Sequence, residues 1–441
     1  MNIKNTLLRL IGKWSEFFLS NPDKDNLRPD SLLSGVAQPS DLPKFKETLE
    51  RILTENIIPF WYPRVMDMAE GGYRLNHDLG GRWKGKANKR LVTQARTLWF
   101  FSRLAETEYG TAKHLEAARH GYEFLCESMW DKEFGGFYWE VDSGGTVTMP
   151  DKQLYGQAYA LFALSKYALV SDEPKTVTLA RELFNLLENL AHDQRYGGYK
   201  EFFQRDWKPP PEDSRSYIHA SANVKLMNTH LHLLEAMTIY YLLTGDRVAQ
   251  ERLIELVFIQ SNAVVRKTIG ACTDKYRENW IPLTGPAHDR VSYGHDLENL
   301  WLLIESCNAA GISNGPLLNL YQTLFQYSLR YGFDRERGGF YHTGPINAPA
   351  DGREKIWWVQ AEGLVSALKM YELTREDIYF ACFSQTLDWI VRHQTDWEHG
   401  DWHAQVSEKG RPSGDKAGEW KCPYHNGRAM IECLELLRPF S

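Results

Sequence analysis

The sequence contains no CxxC pair. Its six cysteines, Cys126, Cys272, Cys307, Cys382, Cys422 and Cys433, lie far apart. That distribution points to reduced thiols in a cytoplasmic protein, not to a disulfide framework or a zinc site. No apolar run approaches the length of a membrane span. The first twenty residues interleave Lys4, Arg9, Lys13 and Glu16 with Leu7, Leu8, Trp14 and Phe17, which reads as an amphipathic helix and not as a signal peptide. Positive charge is not in excess either. A net charge of −6 and a pI near 6.2 argue against nucleic acid or an anionic membrane as the partner. There is no glycine loop of the phosphate-cradling kind, so no nucleotide or other cofactor is expected.

What the chain has in quantity is aromatic side chains, 15 Trp and 22 Tyr in 441 residues. Such residues fill cores, and they also line sites for flat ligands or sugar rings. Residues 21–43 carry Pro22, Pro29, Pro39 and Pro43 and read as an extended arm, giving two parts: an arm over 1–43 and one large domain over 44–441. In that domain a glycine-aromatic signature recurs, at Gly71-Gly72-Tyr73, Gly135-Gly136-Phe137, Gly197-Gly198-Tyr199 and Gly338-Gly339-Phe340, with a weaker Gly400-Asp401-Trp402. The first glycines are 64, 62, 141 and 62 residues apart. The double interval predicts a degenerate copy, best placed at Ile269-Gly270-Ala271-Cys272. A fixed period of this kind marks a repeat architecture.

Each of the six units shows two stretches of apolar residues at helical spacing, flanking a hairpin whose glycines supply its tight turn. Twelve helices follow. The second helix of each unit is the less charged: Gln153 to Ala168 holds only Lys166, whereas the first unit's outer stretch opens Lys44-Phe45-Lys46-Glu47. An unequal pair fits inner and outer walls, so the expected fold is all-α, an (α/α)6 barrel with short β-hairpins at one mouth. An open solenoid is the other closure available to helical hairpins.

Polar residues near the starts of the second helices follow the repeat. Arg96, His295 and His425 each lie 25 residues beyond their glycine, Gln157 and Gln360 lie 22 beyond theirs, and Asn228 lies 31 beyond Gly197. In a closed ring, equal offsets gather side chains around one mouth. The expected pocket is therefore Arg96, Gln157, Asn228, His232, His295, Glu298, Glu362 and His425. His295 and Glu298 share a helical face, with Gly294 as the cap. His230 and His232 invite a metal reading, but residues two apart on a helix point to nearly opposite sides, and no set of carboxylates completes such a site. No metal is expected.

The stretches Asn228-Thr229-His230-Leu231-His232, Gly294-His295-Asp296-Leu297-Glu298, Trp357-Trp358-Val359-Gln360-Ala361-Glu362 and Trp420 to His425 resemble the N-acylglucosamine 2-epimerase superfamily, and within it the cellobiose 2-epimerases. The resemblance covers about residues 44–438 and implies an (α/α)6 barrel. It also implies that His295 and His425 are the acid/base pair, with Glu298 supporting His295. Arg96, Asn228 and His232 would then hold the reacting end of a sugar, and Trp358, Trp420 and Tyr155 would pack against its rings. The implied partner is a small-molecule sugar, and a monomer or homodimer is expected.

Inverting C2 of an aldose requires removal of its proton and return of one to the opposite face, through an enediolate whose negative charge must meet fixed donors. Imidazole, with an unperturbed pKa of about 6.5, suits both proton steps. The same residues permit mannose epimerisation or mannose–fructose isomerisation. A glycoside hydrolase on the same barrel would need two carboxylates flanking the bond, drawn from Glu298, Glu362 and Glu419. A non-catalytic helical scaffold would leave the equal offsets without a cause.

Overall fold

The structure, a computed structural model, describes residues 41–438. The expected N-terminal helix and all but the last three residues of the arm lie outside them. Twelve helices are present among the described residues. Helix α1 runs from Leu42–Arg51 through a widened π segment, Ile52–Ile57, into Ile58–Trp61. It is followed by α2 (Leu91–Ala105), α3 (Ala112–Phe124), α4 (Leu154–Val170), α5 (Pro174–Leu186) and α6 (Met227–Thr244). The second half holds α7 (Arg247–Phe258), α8 (Tyr293–Ala310), α9 (Leu318–Tyr331), α10 (Trp357–Thr374), α11 (Asp377–Trp389) and α12 (Tyr424–Leu437).

The even-numbered helices form the inner wall. Helix α4 is buried without a break from Leu154 to Tyr167, and a helix enclosed on all sides must be apolar on all sides. Outer helix α1 instead buries Leu42 and Leu49 and turns Lys44 and Glu47 outward. Each inner helix packs on the next, and α12 returns to pack on α2. That contact closes the ring into an (α/α)6 barrel.

Six short antiparallel contacts join each outer helix to its following inner one: Met66 with Tyr73, Trp130 with Phe137, His192 with Tyr199, Phe333 with Phe340, Thr395 with Trp402, and Val265 with Cys272. The last places the degenerate copy at the same structural position as the other five. Gly135 and Gly136 turn their hairpin with φ of +69° and +72°. A β-carbon on Gly136 would lie 2.5 Å from the Trp207 ring, so glycine is required there twice over.

A buried ion pair latches five of the hairpins: Lys89–Asp67 at 2.9 Å, Lys152–Asp131 at 2.9 Å, Lys225–Asp193 at 2.7 Å, Lys355–Asp334 at 2.8 Å and Lys416–Asp396 at 2.9 Å. In each, the carboxylate also accepts from two backbone N–H groups of its own turn, as Asp131 does from Glu133 and Phe134. The hairpin of the fourth unit has Arg266 where the others have this aspartate. It is tied down by Asp296, which accepts from the Cys272 N–H at 2.9 Å.

The inner helices begin without side-chain caps. Their first N–H groups donate across to the following hairpin instead, Leu91 to Trp139, Leu154 to Glu201, Met227 to Asp274 and Trp357 to Ala404. This satisfies part of the open helix end and fixes these four inner N-termini at one mouth. Gly294 is not the cap of α8; Ser292 holds that position. Glycine is needed at 294 because a β-carbon there would lie 2.5 Å from the Trp358 ring.

Candidate active site

At that mouth a cavity of about 410 Å³ opens between the inner helices, within the size range of small-molecule sites. Its lining includes Arg96, Tyr155, Asn228, His232, His295, Glu298, Trp358, Trp420 and His425. All six inner helices therefore contribute at least one side chain. Tyr217, Ile218, His219, Leu226, Asp274 and Trp357 complete the lining. The first three come from a long loop with no counterpart in the other units, so the repeat gave no signal for them.

Gln157 is not part of this cavity. Its amide is turned outward and spent on the hairpin, accepting from the Phe137 N–H at 2.9 Å and donating to the Phe137 carbonyl at 2.8 Å. Gln360 does the same for Phe340, at 2.8 and 2.7 Å. Gln94 does so for Tyr73, and His230 accepts from the Tyr199 N–H. Equal offsets mark equal positions here, but this position faces the hairpin. His232, two residues beyond His230, points the other way into the cavity, as helical geometry requires.

The two histidines at the centre have different surroundings. Both pack on the same indole: the ring centroids of His295 and Trp358 are 4.8 Å apart, and those of Trp358 and His425 are 5.8 Å apart. His425 Nδ1 lies 2.6 Å from Glu362. Burial alone would raise the Glu362 carboxyl, but Arg428 and His425 together hold it down, at about 2. An ionised acceptor assigns the proton to Nδ1 and leaves the Nε2 lone pair for the cavity. Burial takes His425 itself down to about 3 against the pull of Glu362. His295 is held at about 4, by burial first and then by the positive fields of His342 and Arg96. Both imidazoles are thus neutral in the resting site. Among the described residues neither nitrogen of His295 has a hydrogen-bond partner.

Glu298 supports Arg428, not His295: Arg428 Nη2 donates to it at 2.7 Å and to Glu362 at 2.8 Å. Glu362 is a buried partner of His425 behind the cavity wall, whereas the sequence grouped it with the pocket. Burial, reinforced by Glu362 nearby, raises the Glu298 carboxyl well above its usual range. Arg428 also reaches Glu235 and Tyr424, and Glu235 lies 3.2 Å from His232 Nδ1. Arg96 donates to Tyr155 at 3.1 Å and to Tyr159, with its guanidinium 4.2 Å from the Tyr159 ring centre. Its Nε is buried without a partner, as is Oδ1 of Asn228. Buried polar atoms left free in a cavity are available to a polar ligand.

Glu298, Glu362 and His425 bring possible ligand atoms within 4.8 Å of one another, a donor set able to hold a cation. The guanidinium of Arg428 already lies against both carboxylates, so a side chain supplies the positive charge they require. Arg428, Tyr159, Glu235 and Tyr424 are the members of this network that sequence reasoning missed. Arg428 had a usable signal, since it follows the amide Asn426 by two residues just as Arg96 follows Gln94.

An (α/α)6 barrel whose mouth holds paired imidazoles, an arginine and aromatic walls defines the class: a carbohydrate isomerase. The chain belongs to the N-acylglucosamine 2-epimerase (GlcNAc 2-epimerase) family, whose model matches residues 71–429. It is 30% identical over 393 residues to a cellobiose 2-epimerase of Bacteroides fragilis, covering 88% of this chain and 98% of the relative. The solved cellobiose 2-epimerase of Bacillus thermoamylovorans superposes with a TM-score of 0.82 at 28% identity, covering 89% of this chain and 99% of that one. A D-mannose isomerase of Marinomonas mediterranea is more distant, at 22% identity over 87% of this chain and 95% of its own.

Proposed function

We propose that this enzyme inverts C2 of the reducing-end glucose or mannose unit of a β-linked disaccharide of the cellobiose type, without a cofactor, in the cytoplasm. The observation that carries the proposal is the packing of His295 and His425 on one indole in a cavity that also holds Arg96, Asn228 and His232. One neutral imidazole takes the C2 proton of the ring-opened sugar; the other, having first taken a proton from water on its cavity-facing nitrogen, returns that proton to the opposite face. The enediolate oxygens meet Arg96, Asn228 and His232. Glu362 compensates the charge when His425 Nε2 carries a proton. Trp420, partly exposed at the cavity rim, gives the second sugar ring an apolar face.

The disaccharide is favoured over free mannose by the likeness to cellobiose 2-epimerases along nearly their whole length. A hydrolase is disfavoured by the disposition of acids. Of the three considered, only Glu298 lines the cavity; Glu362 lies behind His425, and Glu419 pairs with Arg90 at 2.9 Å and faces a separate surface cavity. Incubation with cellobiose, lactose, mannose and glucose in D2O, followed by NMR, tests the proposal. The expected products are the C2 epimers of the disaccharides with deuterium at C2. Release of monosaccharide, or ketose alone, would refute it.

A further inference from the structure

A second cavity, of about 300 Å³, lies on the far side of His295. It shares only His295 and Asp274 with the larger one. Three imidazoles line it, His295, His342 and His288, beside the cations Lys275 and Arg290. Arg290 is bound to Asp351 at 2.9 Å. Among the described residues Lys275 reaches only the His219 carbonyl, at 3.4 Å. His288 Nδ1 is buried without a partner, and Ala287 beside it is exposed. His295 therefore lines both chambers, and among the described residues neither of its ring nitrogens is engaged by protein.

The chemistry gives this arrangement a task. This inference rests on the assignment of His295 and His425 as the two proton carriers. After one turnover the base holds a proton it has gained and the acid lacks one it has given. Before the next sugar of the same kind can react, an N–H bond must break at one ring and form at the other, with water as acceptor and donor. His425 has an ionised carboxylate at 2.6 Å to steady its charged form. His295 has no such partner, and cationic neighbours repel its proton.

We propose that the second cavity is the route by which His295 exchanges its proton with solvent while the sugar cavity is occupied or closing. A cavity water takes the proton from the nitrogen of His295 nearer the second cavity, His342 relays it, and His288 passes it to bulk water near Ala287; a half-turn of the His295 ring, which no protein hydrogen bond holds, then brings the freed nitrogen back to the sugar cavity. His342 does not line the sugar cavity, so it is a relay and not a catalytic residue.

The test separates the reset from the chemistry. The kcat/KM of an epimerase spans steps up to product formation on enzyme already in the correct protonation state, whereas kcat also contains the reset. His342→Phe, and separately Ala287→Trp at the cavity mouth, are expected to lower kcat tenfold or more with kcat/KM within twofold of wild type. Added imidazole buffer is expected to restore kcat in His342→Phe. Unchanged kcat in both variants, or kcat and kcat/KM falling together without buffer rescue, overturns the proposal. If His342→Phe does not fold, Ala287→Trp carries the test alone. Failure of wild type to exchange C2 hydrogen in D2O would instead refute the assignment on which the inference rests.

Discussion

Glu362 sits at the point where one atom's charge decides the site. It accepts from His425 and from Arg428, and both contacts depend on its being ionised. Glu362→Gln keeps the shape and removes the charge, so Nδ1 loses its fixed proton acceptor and the imidazolium loses its compensation. The expected result is a fall in kcat of about 10²–10⁴-fold, the usual contribution of a general acid–base group, with the fold intact by circular dichroism. Activity within threefold of wild type would remove Glu362 from the mechanism. His295→Ala and His425→Ala are each expected to abolish C2 exchange in D2O; retention of most activity by both would leave the proposed proton carriers without a role. At the rim, Trp420→Ala is expected to weaken disaccharide binding by about 1–3 kcal/mol, the scale of a lost aromatic contact. That should appear as a raised KM for cellobiose, and an unchanged KM would count against the platform.

At the scale of the element, the hairpin and its inner helix form one mechanical unit, and Gln157 is the pin. Gln157→Ala strands a buried N–H and a buried carbonyl of Phe137, at a cost of about 1–3 kcal/mol for each unsatisfied group. A lowered urea midpoint with KM for cellobiose unchanged is expected; a raised KM at wild-type stability would return Gln157 to the substrate. The glycine spacings made the six units legible, down to the weak copy at Ile269 to Cys272, because glycine adopts the positive φ of these tight turns most readily; Asp401, at φ +56°, takes the second position in the last hairpin and makes that copy weaker to read. Counting from the glycines was less reliable for side-chain direction, because the connections differ in length: Gln157 lies 22 residues past its glycine and His230 lies 33 past its own. Counting from the clamping residue resolves it. Arg96, Tyr159, His232, Glu362 and Arg428 each stand two residues beyond Gln94, Gln157, His230, Gln360 and Asn426, so when one side chain holds the hairpin the other points to the barrel axis. Glu298 was correctly brought to the cavity but given the wrong neighbour, because its partner Arg428 is 130 residues away and only closure of the ring brings them together.

Across the whole molecule, two sets of buried titratable groups oppose each other. His77, His230, His295, His403 and His425 are all lowered by burial, to between about 3 and about 4. The folded state keeps them neutral while the unfolded chain protonates them below about 6.5, so their contribution is present above that pH and is lost as pH falls toward 4. Burial raises Glu201 to about 8 and Asp296 to about 7, and it raises Glu235 and Asp274 as well. Glu201 and Asp296 are protonated in the fold below those values and ionised in the unfolded chain above about 4.5, so their contribution is present at low pH and is lost as pH rises through the folded values. Between about pH 4.5 and 6.5 the two sets pull in opposite directions. Above 6.5 the histidines no longer titrate in either state and the carboxyls dominate up to about pH 7, while toward pH 8 Lys152, Lys355 and Lys416, lowered by burial to about 8, begin to lose protons in the fold and oppose them. Stability is therefore expected to fall as pH rises from 6.5 to about 7, by about 1.4 kcal/mol per pH unit for each carboxyl still protonated, with unfolding releasing protons, and to level off toward pH 8 as the lysines oppose the carboxyls. Urea titrations at pH 5.5, 6.5, 7.2 and 8 measure it, and Glu201→Gln, which cannot ionise, is expected to flatten the alkaline slope by about one proton. An alkaline slope identical in Glu201→Gln and wild type would show that Glu201 is already ionised in the fold, held so by the Leu226 N–H and the Thr229 hydroxyl that donate to it at 2.7 and 2.6 Å.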